Sequence, residues 1–188
     1  MYNGEFFNDF GVAAELGNKV LPALNEQLKR GKVIHTEHLN EIVANMLDIY
    51  SGIDAIFKHE TEIAGVALRV QQHSERNWET FTIRYSRNTG TETEYSKRVR
   101  QIYCKDNNQF YPHYTCQVYM DKTNCLIGGG FCLTRDLFDI ALSYEPFATK
   151  LPGLDMHRLP PVYVNINALD GNTFVVVPFY KFTRILLF

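Results

Sequence analysis

Asp54, Arg69 and Gln71 are the residues of this chain whose types and spacing most invite chemistry. They fall in the stretch GIDAIFKHETEIAGVALRVQ, residues 52–71. Side chains alternate along a strand, so Ala67, Arg69 and Gln71 share one face while Val66, Leu68 and Val70 share the other. A hairpin of this register brings Asp54 toward Arg69 or Gln71. Glu15, at the border of an apolar helical stripe, is placed to reach the same sheet edge. Arg69 pairing with Glu15 or Asp54 makes an ordinary salt bridge, whereas Arg69 with Arg84 nearby would attract a phosphate group. The same residues also describe the polar rim of a sheet, and an Asp after Gly-Ile is often a turn former.

Several elements must position these groups. Phe7, Phe10, Ala14, Gly17, Leu21, Leu24 and Leu28 recur at spacings of three and four, predicting a first helix that Gly31 ends. A second helix is expected from Thr36, with Leu39, Ile42, Val43, Met46 and Leu47 inward. From residue 52 the period shortens to that of strands. A short strand is expected to Phe57, a polar turn over 58–62, a second strand from Ile63 to Gln72 and a third from Asn77 to Ser86. Thr91 and Glu94 have capping-box spacing, and Tyr95, Val99 and Ile102 define the apolar face of a third helix. Phe110 to Asp121 and Cys125 to Leu133 read as a strand hairpin, followed by a helix from Thr134 to Leu142. Tyr163 to Asn167 and Thr173 to Phe179 read as late strands around the turn signal Asp170-Gly171-Asn172.

The expected organisation is a single domain over 1–188. It comprises a core over 1–145, a proline-rich loop over 146–161 and C-terminal strands over 162–188. An apolar fraction of 45% and a charged fraction of 21% fit a globular chain. No apolar run has the length of a membrane span, and Met-Tyr-Asn-Gly-Glu lacks the basic, then apolar, start of a signal peptide. A cytoplasmic location is the resulting expectation. The cysteines at 104, 116, 125 and 132 have no zinc-site spacing and are expected to be reduced and mostly buried. His35, His38 and Glu41 make only a weak zinc signal.

The net charge of −2 conceals an asymmetry. Residues 1–62 carry ten acidic against five basic side chains, and residues 69–105 carry eight basic against four acidic ones. Thr82, Arg84 and Ser86 share one face of the third strand and are expected to continue the Arg69/Gln71 surface. Arg87, Lys97, Arg98 and Arg100 follow, interleaved with Trp78, Tyr85 and Tyr95. Cations between aromatics suit nucleic acid, although a solvated charged helix face explains the same pattern. The apolar terminal run FYKFTRILLF, residues 179–188, must pack on its own domain or on a partner, which makes a homodimer through this region a candidate assembly.

The order of these elements resembles the PD-(D/E)xK nuclease superfamily. There a helix often bearing Glu precedes a strand with Asp, and a hairpin leads to a strand reading apolar-Glu-apolar-Lys. Here Gly11-Val-Ala-Ala-Glu15, Gly52-Ile-Asp54 and Ala67-Leu-Arg69-Val-Gln71 occupy those places, over roughly residues 7–105. The resemblance implies an α+β (or α/β) fold. Its central mixed sheet would be flanked by helices as a restriction-endonuclease-like core, with an additional C-terminal β part. It implies Mg²⁺ held by Glu15 and Asp54, with Gln71 orienting the water and Arg69, Arg84, Arg87, Lys97 and Arg98 meeting nucleic acid, DNA ahead of RNA. Arg69 stands where the family has an acidic ligand, and Gln71 where it has lysine. An arginine offers only donors and cannot ligate Mg²⁺. The expected function is therefore nucleic-acid binding on a nuclease-like scaffold with an altered site. An active Mg²⁺-dependent DNA phosphodiesterase and a protein-interaction module are the alternatives.

Overall fold

The computed structural model describes residues 19–22, 24–26, 28, 31–36, 39, 43–44, 47, 51–87, 89–104, 110–144, 163–165 and 173–188. The fold is α+β, with a mixed sheet of six strands and a second sheet of three. The chain divides into two compact units. One comprises the described residues of Met1–Trp78, Pro112–Phe131 and Leu187–Phe188, the other those of Glu79–Tyr111 and Cys132–Leu186.

The first unit holds the larger sheet. Strands β1 (Lys32–His35), β2 (Ala55–His59) and β3 (Glu62–Gln71) form an antiparallel meander. Between β2 and β3 the turn is only Glu60 and Thr61, so both strands run further than the polar sequence 58–62 suggests. Glu60 makes this possible by adopting φ 50°, the left-handed conformation that a tight turn requires. Strand β5 (Tyr114–Met120) pairs with β3 in parallel, Val66 opposite Tyr114 and Gln71 opposite Tyr119. Strands β6 (Leu126–Leu133) and β9 (Leu186–Leu187) complete the order β1-β2-β3-β5-β6-β9.

One face of this sheet buries Val33, Ala55, Val66, Cys116 and Val118, whose branched and small side chains fit a pleated surface. Phe57, Tyr114 and Phe131 pack together at its side, Tyr114 stacking on Phe131 with centroids 4.9 Å apart. Val20, Leu21 and Leu24 of the helical residues 19–22 and 24–26 are buried, as the apolar stripe requires. The strand β1 was not foreseen in the sequence. Its edge is occupied by Asn25, whose amide donates to the Val33 carbonyl at 3.0 Å and accepts the Val33 N–H at 2.6 Å. A side chain thus supplies the pairing that an open edge would offer another chain.

The second unit contains the antiparallel sheet β4 (Thr80–Ser86), β8 (Thr173–Pro178) and β7 (Tyr163–Asn165), in the order β4-β8-β7. Helices α1 (Glu94–Tyr103) and α2 (Thr134–Tyr144) belong to the same unit, α1 packing on β4 and α2 on β8. Phe81 meets Phe179 and Phe182 at centroid distances of 4.8 and 5.1 Å, and Tyr95 meets Tyr85 at 5.0 Å. The capping box of α1 is Thr93 with Ser96, two residues later than its expected position. No helix among the described residues is long and apolar enough to cross a membrane. Cys116 and Cys132 are buried and Cys104 and Cys125 exposed, all four as free thiols, so only half of the set is buried. The proline-rich segment 146–161, the turn 170–172, His38 and Glu41 lie outside the described residues.

The C-terminal run packs within its own chain. The Gly129 N–H donates to the Phe188 carbonyl at 2.8 Å, and the Phe188 N–H returns a bond to Gly129 at 3.3 Å. A Cβ at Gly129 would lie 2.8 Å from the Phe188 ring and closer still to the Gln117 carbonyl, so only glycine admits this approach. Gly129→Ala is therefore expected to lower stability by about 1–3 kcal/mol through overpacking, read from the midpoint of urea unfolding. An unchanged midpoint would remove the steric argument.

The β5–β6 turn supplies a pH-dependent counterpart. Asp121 Oδ1 accepts the Thr123 hydroxyl and N–H, both at 2.7 Å, and the Cys125 N–H at 2.9 Å. The Thr123 hydroxyl first, then the Cys125 amide, hold its carboxyl below the ordinary value. A lowered folded value means the turn gains from the ionised form at neutral pH and loses that gain as pH falls through the folded value. The Thr123 and Cys125 amide shifts in NMR should titrate with a midpoint below the usual aspartate value of about 3.9.

Candidate functional site

Asp54 sits where the β2–β3 ladder ends. The last paired residues are Ala55 and Val66, and one residue earlier the Asp54 N–H donates to the Val66 carbonyl at 2.9 Å. Its Oδ2 then accepts the Leu68 N–H at 2.7 Å, standing in for the backbone carbonyl that the departing strand no longer provides. Its own carbonyl accepts the Thr36 N–H at 3.0 Å and the Thr36 hydroxyl at 2.9 Å. Thr36 thus uses its hydroxyl on Asp54, where the sequence suggested a helix cap.

Arg69 is the next residue of β3, half-buried, and Gln71 closes the strand exposed. In the parallel register Arg69 lies opposite Gln117 and Gln71 opposite Tyr119. Gln117 and Tyr119 are both buried, so this face is covered at its centre and opens at Gln71. Three expected site residues, Asp54, Arg69 and Gln71, therefore belong to one unit and one end of one strand pair. Glu15 lies outside the described residues.

These groups were tested against the Mg²⁺ that the resemblance implies. Asp54 is one carboxylate, one of its oxygens already takes an N–H, and Arg69 follows directly along the strand. Among the described residues no group of three or more His, Cys, Asp and Glu side chains is arranged to hold a metal ion. The described residues alone do not fit the ion.

The remaining basic candidates lie in the second unit. Strand β4 pairs with β8, so the face of Thr82, Arg84 and Ser86 does not continue the β3 sheet. The Arg84 guanidinium carbon lies 5.9 Å from the centroid of Phe174, its register partner, and its Nε is buried without a hydrogen-bond partner. Arg87 is exposed, with only a long 3.4 Å bond to the Thr91 hydroxyl. Lys97 is half-buried on α1.

Arg98 departs from the expected charged outer face. It is 3% exposed, and its Nη1 donates to Gln101 Oε1. Gln101 in turn donates to the Phe110 carbonyl at 3.2 Å. The buried residues of α1 are Tyr95, Arg98 and Gln101, one residue out of step with the apolar set Tyr95, Val99 and Ile102. A guanidinium can be buried where acceptors meet its donors, and the Gln101 amide oxygen is one such acceptor for Arg98. Arg100 is paired with Glu92 through three bonds of 3.0–3.1 Å.

One feature escaped the sequence reading. After Gln71 the chain turns, and the exposed Arg76 lays its guanidinium 4.1 Å over the ring of Trp78. A spacing of two residues in irregular backbone carries no periodic signal, although the presence of Trp78 among cations pointed toward it.

No family model, no curated protein and no solved structure matches this chain.

The Asp54 bond is directly testable. Asp54→Ala would leave the Leu68 N–H without its acceptor, at a cost of about 1–3 kcal/mol. Asp54→Asn retains an acceptor oxygen and should cost distinctly less. Urea unfolding of the three proteins should therefore rank wild type, Asn, then Ala, and equal midpoints for Ala and wild type would contradict the assigned bond.

Proposed function

We propose that the chain binds nucleic acid through its first unit without cutting it, on a scaffold of the PD-(D/E)xK kind. The hairpin β2–β3, with Asp54 at its start and Arg69 and Gln71 on its second strand, has the order that the resemblance implies. The observation that carries the reading is the Asp54 carboxylate accepting the Leu68 N–H immediately before Arg69. The acid accepts a backbone N–H there, and the neighbouring Arg69 is a permanent cation of the kind that recognises phosphate oxygens. Gln71 and Arg76 are exposed just beyond it, adding an amide and a second guanidinium. Such a set attracts and orients a phosphate, and it offers no activated nucleophile.

Binding is measured by fluorescence anisotropy of labelled DNA and RNA over a salt series, with cleavage assayed in Mg²⁺ and Mn²⁺. Affinity should fall linearly on logarithmic axes, with a slope of about −0.7 to −0.9 per phosphate contact. Arg69→Ala should weaken binding about tenfold, the loss of a charge-assisted bond, and no cleavage should appear. Cleavage abolished by Asp54→Asn would replace this reading with the active nuclease. Absence of binding to any nucleic acid would leave the protein-interaction module.

A further inference from the structure

We infer that the Arg76–Trp78 stack is a base-stacking platform, making the first unit a binder of single strands in preference to duplex. This rests on the nucleic-acid reading above and specifies the form of ligand that the same end of the sheet takes.

The segment is built, and it is held. His73 follows β3 at φ 53° and Glu79 closes the segment at φ 52°, both left-handed and neither glycine. Non-glycine residues adopt this conformation at a cost, and they keep it where surrounding bonds over-determine it. Here the Ser74 N–H donates to the Met120 carbonyl at 2.8 Å, tying the segment to the end of β5. The buried Ser74 hydroxyl donates to the Arg76 carbonyl at 2.7 Å, fixing the backbone that carries the guanidinium.

Arg76 lies with its guanidinium 4.1 Å over the Trp78 ring, within the range of a cation–π contact. A guanidinium lying over an indole keeps its solvent side for a ligand, and Arg76 is exposed while Trp78 is half-buried. That outer face is flat and accepts any base by stacking, as aromatic and guanidinium planes do in single-strand recognition. Bases in a duplex have their faces covered by neighbours, whereas those of a single strand are free to splay onto a platform. The exposed Gln71 amide, with donors and an acceptor, lies at the adjoining strand end and suits a base edge or a phosphate. Charge alone would favour duplex, which has the denser phosphates. The stacked pair reverses that preference.

Trp78 is the chain's only tryptophan, so its emission reports this position without labelling. The full chain is titrated with an oligothymidylate and with a duplex carrying the same number of phosphates. Single strand should bind at least about tenfold more tightly and quench Trp78. Trp78→Ala should weaken single-strand binding about 5- to 150-fold with duplex affinity nearly unchanged, and Trp78→Phe, which keeps a ring, should restore most of it. Arg76→Lys keeps the charge but not the plane, so it should lower affinity without altering the salt slope. Salt-dependent binding with duplex equal to or tighter than single strand, or with Trp78 emission unchanged at saturation, overturns the inference and leaves the general reading intact. Failure of both ligands to bind overturns both.

Discussion

The bond from the Leu68 N–H to the Asp54 carboxylate is the constraint around which the first unit is arranged. Three segments meet at this residue. Its N–H and side chain hold β3, and its carbonyl takes both donors of Thr36 at the end of β1. Without it, the ladder would end with an unpaired N–H beside the buried Val66 and Ala67, a costly position for a bare donor. A side-chain acceptor at this place serves the backbone whether or not it ever meets a ligand. That is why its presence at a strand start says less about catalysis than the identity of its neighbour, Arg69.

The basic half of the sequence shows a comparable economy. Several of its cations already have partners within the chain: buried Arg98 with Gln101, surface Arg100 with Glu92, and Arg84 beside Phe174. Net charge over a segment therefore overstates the positive surface that a ligand would meet. Arg76, lying on an aromatic ring in exposed backbone, is of the opposite kind, since its planar group is fixed and presented at once.

Local patterns were legible in the sequence and long-range pairings were not. Alternation correctly placed Arg69 and Gln71 on one face, and capping chemistry foretold α1 to within two residues. Strand β1 escaped because Lys32–His35 is too short for a period to emerge between Gly31 and Thr36. The parallel pairing of β3 with β5 and the withdrawal of β4 into another sheet depend on partners distant in sequence, which no local window contains. The one-residue rotation of α1 had a different cause. Hydrophobicity assigns arginine outward, and the bond to Gln101, itself tied to the Phe110 carbonyl, helps make Arg98 acceptable inside. Of the candidate site, spacing grouped Asp54, Arg69 and Gln71 at one end of one strand pair, while the Arg76 contact with Trp78 depends on a backbone turn that spacing does not encode.

The parallel pair β3–β5 has a consequence for how the molecule is made. The chain between these strands contains β4 and α1, which belong to the other unit. During synthesis the meander β1–β2–β3 emerges with one side of β3 unpaired until β5 has been translated. Closing that ladder must also await a long loop closure, which slows folding of non-local sheets. Neither unit can finish before the other has begun, so the two are expected to mature as a coupled pair, with the nascent edge of β3 the point most in need of protection from premature association.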